Sequence, residues 1–188
     1  TDTGNLSVQV KDKKTEDYQE NIATDMVLLA TGIVPEVSLA REAGIALGET
    51  GAIAVDEFGQ TNIPDIYAAG DCAEAKHTVT GEPVYIPLAL TANRNGRAIG
   101  STVGGKTTTL VPISGTAVVK VFQLEVATTG IIDIELAKKS GFSPLKITVD
   151  SHSRAGYCPE SKPIKINLMA DQRSKKLLGA SMVGEEGI

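Results

Sequence analysis

The sequence predicts an α+β fold, in which a partial α/β segment is followed by a domain with an antiparallel sheet and helices. Residues 26–30 form an apolar run typical of a strand buried on both faces. Residues 87–103 form the longest helix candidate, and strand-like alternation dominates from Gly115 onward. This change in composition divides the chain into domains of residues 1–110 and 111–188.

The composition excludes several classes of function. The net charge is −5 at pH 7, and the aromatic residues are four Tyr and three Phe with no Trp, so neither a basic field nor an aromatic platform favours nucleic acid. No apolar run of eighteen residues and no signal peptide is visible, so we expect a cytoplasmic protein that does not bind membranes. The two cysteines match no metal spacing and the two histidines are too few for a histidine-based site, so no metal is expected.

The first half contains several short predicted elements. Alternation or apolar runs indicate the strands, and Gly44 is a natural C-cap for the helix. The charged stretch of residues 11–20 is expected to form a surface hairpin turn. The predicted elements are strands at residues 6–10, 22–30 and 51–55, and a helix at residues 37–43.

Residues 61–73, TNIPDIYAAGDCA, are the most informative stretch of the chain. A turn containing Pro64 leads into a short apolar strand at residues 66–69, which ends at Gly70-Asp71. Small residues let another group approach the backbone, and ligands bind at the carboxyl ends of strands in open α/β sheets. A carboxylate at this end can accept hydrogen bonds from a polyol, so it suits a sugar or ribityl chain better than a phosphate.

This stretch resembles the second flavin-binding motif of the FAD/NAD-linked (pyridine nucleotide-disulfide) oxidoreductases. The matching pattern is Thr61-x-x-Pro64-x-Ile66-Tyr67-Ala68-x-Gly70-Asp71. The resemblance implies that Asp71 binds the ribityl chain of FAD and that Gly70 lets the cofactor approach. The first dinucleotide fingerprint of the family, GxGxxG, is absent and no methionine precedes the first residue, so we interpret the chain as part of a longer enzyme.

Two further segments resemble the same family. Thr31-Gly32, preceded by alanine, is similar to the motif at which the chain leaves the NAD domain and re-enters the FAD domain. Pro87 is suited to a first helical position, and a helix N-terminus carries free N–H groups and partial positive charge. The resemblance implies that Leu88 and Ala89 lie near the flavin ring, where this helix stabilises negative charge on the reduced ring. The alternative is that Pro87 only begins a packing helix.

The second half resembles the C-terminal dimerisation domain of this family, which implies a homodimer. The segments that carry the resemblance are Gly115-Thr116, Ala127-x-Thr129-Gly130, Ala155-Gly156-Tyr157 and Leu178-Gly179-Ala180. The branch that it is most similar to contains coenzyme A-disulfide reductases, NADH oxidases and NADH peroxidases. The elements predicted here are strands at residues 117–122, 126–131, 146–149, 164–170 and 178–183, and a helix at residues 134–140 with Asp133 as its N-cap.

Tyr157 is the candidate catalytic residue. In the coenzyme A-disulfide reductase branch, a tyrosine of this segment reaches the partner subunit's active site and donates a hydrogen bond to a thiolate, sulfenate or peroxide oxygen. Here Cys158 stands where that branch often has a second tyrosine, which leaves a specific thiol substrate open, and packing at an interface is the alternative role. Cys72 and Cys158 are expected to be inert thiols. His77 and His152 are expected at the surface, with acid–base or nucleotide contacts as open alternatives.

The resemblance implies an FAD-dependent NAD(P)H oxidoreductase that reduces a small-molecule disulfide, persulfide, peroxide or oxygen. Neither the acceptor nor the choice between NADH and NADPH follows from the sequence. Two alternatives stay open. In the first, this polypeptide alone is a non-catalytic dimerisation module without a cofactor. In the second, the parent is a ferredoxin-reductase-like flavoenzyme that passes electrons to a protein partner.

Overall fold

The computed structural model describes residues 6–12 and 18–188, and these residues divide into two compact units between Val34 and Pro35. The central part of the predicted hairpin turn at residues 11–20 lies outside the described residues. In this part of the chain no helix is both long enough and apolar enough to cross a membrane.

The first unit is built on a two-stranded antiparallel sheet. Strand β1 (Leu6–Lys11) pairs with β2 (Tyr18–Thr24), and Leu6 lies opposite Thr24. The predicted strand at residues 6–10 is therefore confirmed, and the following strand begins earlier than predicted.

The prediction of a buried strand at residues 26–30 is wrong for the described structure. These residues belong to no helix or strand, and the side chains of Met26, Leu28 and Leu29 are 82%, 87% and 82% exposed. A strand buried on both faces needs neighbouring strands and layers packed on both sides. Among the described residues, β1 pairs only with β2 and no strand pairs with residues 26–30, so the apolar run stays open to solvent.

The second unit begins with a short helix and a loop-rich segment. Helix α1 (Ser38–Glu42) confirms the predicted helix, and its residue Ala40 packs with Val37, Ile53 and Ala73 in a small core. The strands predicted at residues 51–55 and 66–69 are reduced to isolated bridges, such as those of Ile53 and Tyr67. Glycines with positive φ recur through this segment (Gly51, Gly59 and Gly70), and such turns interrupt the regular hydrogen bonding of a strand.

A small hairpin and the longest helix follow. Strands β3 (Ala75–Lys76) and β4 (Pro83–Val84) pair antiparallel, and α2 spans Ala89–Val103. The long helix is confirmed, but Leu88 is its N-cap, so Pro87 precedes the cap and does not occupy the first helical position as predicted.

The last part forms the expected antiparallel sheet with a helix, which confirms the α+β fold class. Asp133 caps α3, because its carboxylate accepts a hydrogen bond from the Leu136 N–H at 2.7 Å. The sheet has the strand order β5-β6-β9-β8-β7 with all neighbours antiparallel. The elements are β5 (Ala117–Val121), β6 (Leu124–Gly130), α3 (Ile134–Lys139), β7 (Pro144–His152), β8 (Pro163–Asp171) and β9 (Leu177–Gly184).

A compact core joins α3 to the middle of this sheet. It consists of Ile131, Ala137, Met169 and Leu178, all almost fully buried. At one end of the sheet, Asp171 closes the turn between β8 and β9. Hydrogen bonds from the hydroxyl and N–H of Ser174 and from the N–H of Ser143 hold the pKa of the Asp171 carboxyl well below its usual range.

Candidate functional site

The stretch that leads to Gly70-Asp71 is held in place by polar side chains. Thr61 Oγ1 accepts a hydrogen bond from the Ile63 N–H at 3.2 Å, which forms a local turn. Asn62 ties the stretch to the segment after α1, because its Oδ1 accepts from the Ala46 N–H at 2.7 Å and its Nδ2 donates to the Gly44 carbonyl at 3.2 Å. The polar residues of the motif therefore fix its own loop.

The turn itself is fixed at every carbonyl from residue 69 to residue 72. Each of these four oxygens accepts a hydrogen bond, so the backbone has little freedom to rotate. The four pairs are the Cys72 thiol with Ala69 (3.5 Å), the Ala73 N–H with Gly70 (3.2 Å), the Tyr85 hydroxyl with Asp71 (3.0 Å) and the Ile53 N–H with Cys72 (2.8 Å).

Gly70 packs closely on α2 in a conformation that favours glycine. Its φ is +84°, and a Cβ placed on it would lie 3.5 Å from the Ala92 Cβ. Farther along α2, Ile99 packs against Gly59, where an added Cβ would come within 2.5 Å of Ile99 Cδ1. Gly59 thus lets α2 lie directly on the loop, whereas a Cβ at residue 70 would make only an ordinary contact with the helix.

The Asp71 carboxylate is the group that this scaffold presents. Asp71 is exposed, and within the described part of the chain its side chain has no hydrogen-bond or ion-pair partner. Asp56 and Asp171, by contrast, use their carboxylates on backbone N–H groups. A fixed turn that carries an uncommitted carboxylate fits a ligand with hydroxyl donors, which is the donor set of a ribityl chain.

The N-terminus of α2 lies beside this turn. Leu88 provides no side-chain cap, so the first N–H groups of the helix, including that of Ala89, stay available to an acceptor. Leu88 is half-buried and Ala89 is exposed. The Tyr85 hydroxyl on Asp71 and the packing of the first turn of α2 on Gly70 bring the four predicted cofactor-binding residues of this unit into one region.

The other predicted site residues are Thr31, Gly32 and Tyr157. Thr31 and Gly32 belong to the first unit, where both are exposed and Gly32 has φ +85°. Tyr157 lies in the loop between β7 and β8 and is 90% exposed. A turn bond from the Cys158 N–H to the Ala155 carbonyl (2.8 Å) shapes that loop, so the tyrosine projects from a structured support.

The prediction for His77 is wrong, whereas that for His152 is confirmed. His152 is exposed, but His77 is only 6% exposed. Its backbone pairs with Ile113 in a parallel bridge, and its Nδ1 lies 3.4 Å from the Thr80 N–H and hydroxyl. Burial disfavours the charged imidazolium and lowers the pKa of His77. The histidine is therefore part of the packing where residues 75–84 meet residue 113.

The cysteines form no disulfide. Cys72 and Cys158 are both half-buried and free, and Cys72 donates to a carbonyl of its own turn. Within residues 6–12 and 18–188, no group of three or more His, Cys, Asp or Glu residues is arranged to hold a metal ion.

One residue of the site was not anticipated from the sequence in its actual role. Tyr85 stands in the segment that leads into α2, and its hydroxyl reaches back across fourteen positions to the Asp71 carbonyl. No local pattern signals such a bond, because the approach of the two segments depends on the packing of α2.

Comparisons with known proteins point to one family. Residues 1–96 match the family described as pyridine nucleotide-disulphide oxidoreductase, and residues 116–187 match its dimerisation domain. The chain is 40% identical over 162 residues to the NAD(P)H sulfur oxidoreductase (CoA-dependent) of Pyrococcus abyssi. The alignment covers 86% of this chain and 36% of that protein.

Solved structures agree with this match. The NAD-dependent persulfide reductase from A. fulgidus superposes with a TM-score of 0.82 at 37% identity, over 88% of this chain and 31% of that one. Reduced Bacillus anthracis CoADR-RHD superposes with a TM-score of 0.84 at 43% identity, over 89% of this chain and 30% of that one. The chain thus spans about a third of the length of these proteins. It belongs to the pyridine nucleotide-disulphide oxidoreductase family, as its motifs predict.

Proposed function

We propose that this chain supplies half of the flavin site and the dimer interface of an FAD-dependent NAD(P)H oxidoreductase that reduces sulfur–sulfur bonds of a coenzyme A-linked substrate. The observation that carries the proposal is the uncommitted Asp71 carboxylate on a turn fixed against the uncapped N-terminus of α2. These two groups suit the two polar parts of a flavin, the ribityl hydroxyls and the pyrimidine edge.

Each predicted residue has a specific part in this proposal. Asp71 accepts hydrogen bonds from the ribityl chain, and Gly70 leaves room for that chain to approach. The N–H groups at Leu88 and Ala89 stabilise negative charge on the pyrimidine edge. Bound flavin would supply hydride acceptance and delivery, while these residues bind it, orient it and bias its charge.

The domain organisation is part of the same proposal. Thr31 and Gly32 lie where the chain passes from the pyridine nucleotide domain into the flavin domain. We place the end of the flavin domain at residue 110 and the dimerisation domain at residues 111–188. Under this arrangement the exposed apolar residues 26–30 belong to a sheet completed by chain from outside the described residues.

The flavin assignment is tested in the full-length enzyme by Asp71→Ala. A hydrogen bond to a charged group contributes about 1.5–3 kcal/mol, so the Kd for FAD should rise about 10- to 150-fold. Asp65→Asn is the matched control, because Asp65 is an exposed acid of the same motif at φ +64° and asparagine tolerates that conformation. Flavin content and Kd are measured by absorbance and fluorescence. Unchanged FAD affinity in the Asp71 variant would contradict the assignment.

Two related proteins support this choice of acceptor, because one is a CoA-dependent sulfur oxidoreductase and the other is a persulfide reductase. The rates of NADH and NADPH oxidation by the full-length enzyme are measured with each of four electron acceptors and compared. The acceptors are coenzyme A persulfide, coenzyme A disulfide, hydrogen peroxide and oxygen. The proposal expects kcat/KM to be highest for a coenzyme A-linked sulfur compound. A preference for oxygen or peroxide would favour the oxidase or peroxidase role instead.

We assign Tyr157 to the acceptor side of the partner subunit's active site in a homodimer. Its exposed hydroxyl and structured loop support this role, as do the exposed apolar side chains of the sheet domain, including Val118, Val119 and Phe122. Tyr157→Phe should slow the half-reaction with the acceptor and spare flavin reduction by NAD(P)H in stopped-flow experiments. An equal loss in both half-reactions is inconsistent with this role.

The second candidate function concerns the 188-residue polypeptide by itself. The described residues provide only one carboxylate and one helix N-terminus toward a flavin, so the polypeptide alone is a candidate dimerisation module without cofactor. The absorbance spectrum of the purified polypeptide distinguishes a flavin-binding protein from a dimerisation module without cofactor. Bound flavin would exclude the module, whereas a colourless dimer would support it.

A further inference from the structure

We infer that Tyr85 is a positioning residue that sets the separation between the two flavin-facing groups of the site. This inference rests on the proposed flavin function and extends it to a residue that acts through its bond to Asp71. The contact that carries it is the bond from the Tyr85 hydroxyl to the Asp71 carbonyl at 3.0 Å.

The bond joins the two sides of the site. Tyr85 lies three residues before Leu88, the N-cap of α2, so its backbone is within about 10 Å of the helix start along the chain. Its half-buried ring spans from this segment to the turn that bears the Asp71 carboxylate. The phenol therefore acts as a spacer of fixed length between the helix N-terminus and the carboxylate.

The Tyr85 bond differs from the other bonds to the carbonyls of this turn. The carbonyls of Ala69 and Gly70 are paired within the turn itself, and that of Cys72 is paired with Ile53. The Asp71 carbonyl is paired only through Tyr85 in the part of the chain that the structure describes. Without the hydroxyl, the peptide that follows Asp71 gains freedom to rotate, and the direction of the carboxylate changes with it.

Tyr85→Phe in the full-length enzyme tests the inference, because it keeps the ring and removes only the hydroxyl. The Kd for FAD should rise about 2- to 12-fold, which corresponds to the net value of one hydrogen bond. Tyr67→Phe is the matched control. Tyr67 belongs to the same motif and is also half-buried, and its hydroxyl has no partner among the described residues. That variant should bind FAD like the wild type.

A double-mutant cycle with Asp71→Ala separates positioning from a general structural role. If Tyr85 acts through Asp71, the Tyr85→Phe change should have no effect on FAD affinity in the Asp71→Ala background. Equal effects in both backgrounds would overturn the inference, as would a Tyr85→Phe variant with wild-type affinity. If Asp71→Ala alone leaves affinity unchanged, the proposed flavin role of Asp71 fails, and the inference fails with it.

Discussion

Gly59→Ala is the substitution that most directly tests how α2 is held on the flavin-motif loop. Gly59 is buried at φ +81°, and an added Cβ would lie 2.5 and 2.7 Å from two side-chain carbons of Ile99. The variant therefore combines the cost of a left-handed alanine, about 1–2 kcal/mol, with an overpacking cost of about 1–3 kcal/mol. We expect a total loss of about 2–5 kcal/mol in the free energy of unfolding.

The matched control is Gly51→Ala. Gly51 has nearly the same φ, +84°, but an added Cβ there meets nothing within 4 Å. This variant should lose only the conformational part, about 1–2 kcal/mol. Urea denaturation followed by circular dichroism measures both losses, and their difference isolates the contact with α2.

A third variant identifies the contact. In an Ile99→Ala background the obstructing side chain is absent, so Gly59→Ala should cost no more than Gly51→Ala does in the wild type. Either of two results would show that Ile99 does not obstruct a side chain at residue 59. The two glycine variants could lose equal stability in the wild-type chain, or the loss caused by Gly59→Ala could be unchanged in the Ile99→Ala background.

Three further outcomes are expected. Because burial lowers the pKa of His77, its contribution to the free energy of unfolding is complete above about pH 6.5 and is lost as the pH falls further. The urea midpoint should therefore drop less between pH 7.5 and 5.5 in His77→Gln than in the wild type or in His152→Gln. An identical pH dependence in all three proteins would be contrary to this expectation. Hydrogen bonds hold the pKa of Asp171 low, so Asp171→Asn should be less stable than the wild type at pH 7. The difference between the two urea midpoints should shrink below about pH 4. A constant difference from pH 7 to pH 2.5 would argue against this prediction. Gly179→Ala forces a Cβ against neighbouring backbone and should cost about 3 kcal/mol, a fall of about 6–12 °C in Tm. In the control Gly156→Ala, the added Cβ meets no atom within 4 Å, so the Tm should fall much less. Equal falls in Tm would show that the backbone does not approach Gly179 closely.

The five-stranded sheet and its helix were predictable because their signals are local. Period-two alternation located the five strands, and Asp133 located the start of the helix. Each of these features depends on residues that are near one another in the sequence. The observed ends of most strands differ from the predicted ends by a few residues. The largest difference is at β7, which extends well beyond the alternation that predicted it.

The strands that the sequence predicted wrongly are those whose formation depends on residues far away in the chain. The run at residues 26–30 has the composition of a buried strand, but a strand forms only where a neighbour pairs with it, and the described residues provide none. The short strands around Ile53 and Tyr67 are limited to single bridges because glycine turns break their ladders.

The sequence locates the motif of the candidate site but not the contacts that support it. A family motif identifies Gly70 and Asp71, because the pattern is contiguous. The Tyr85 bond and the burial of His77 arise from the approach of segments that are fourteen and thirty-six positions apart. Such contacts leave no period or spacing in the sequence.

A crystal structure of the full-length enzyme with FAD bound tests the role of Asp71 most directly. We expect a hydrogen bond of about 2.5–3.0 Å between an Asp71 carboxylate oxygen and a ribityl hydroxyl, with the N-terminus of α2 directed at the pyrimidine edge of the flavin. A flavin whose ribityl chain is bound by other residues, with Asp71 still facing solvent, would contradict the central claim.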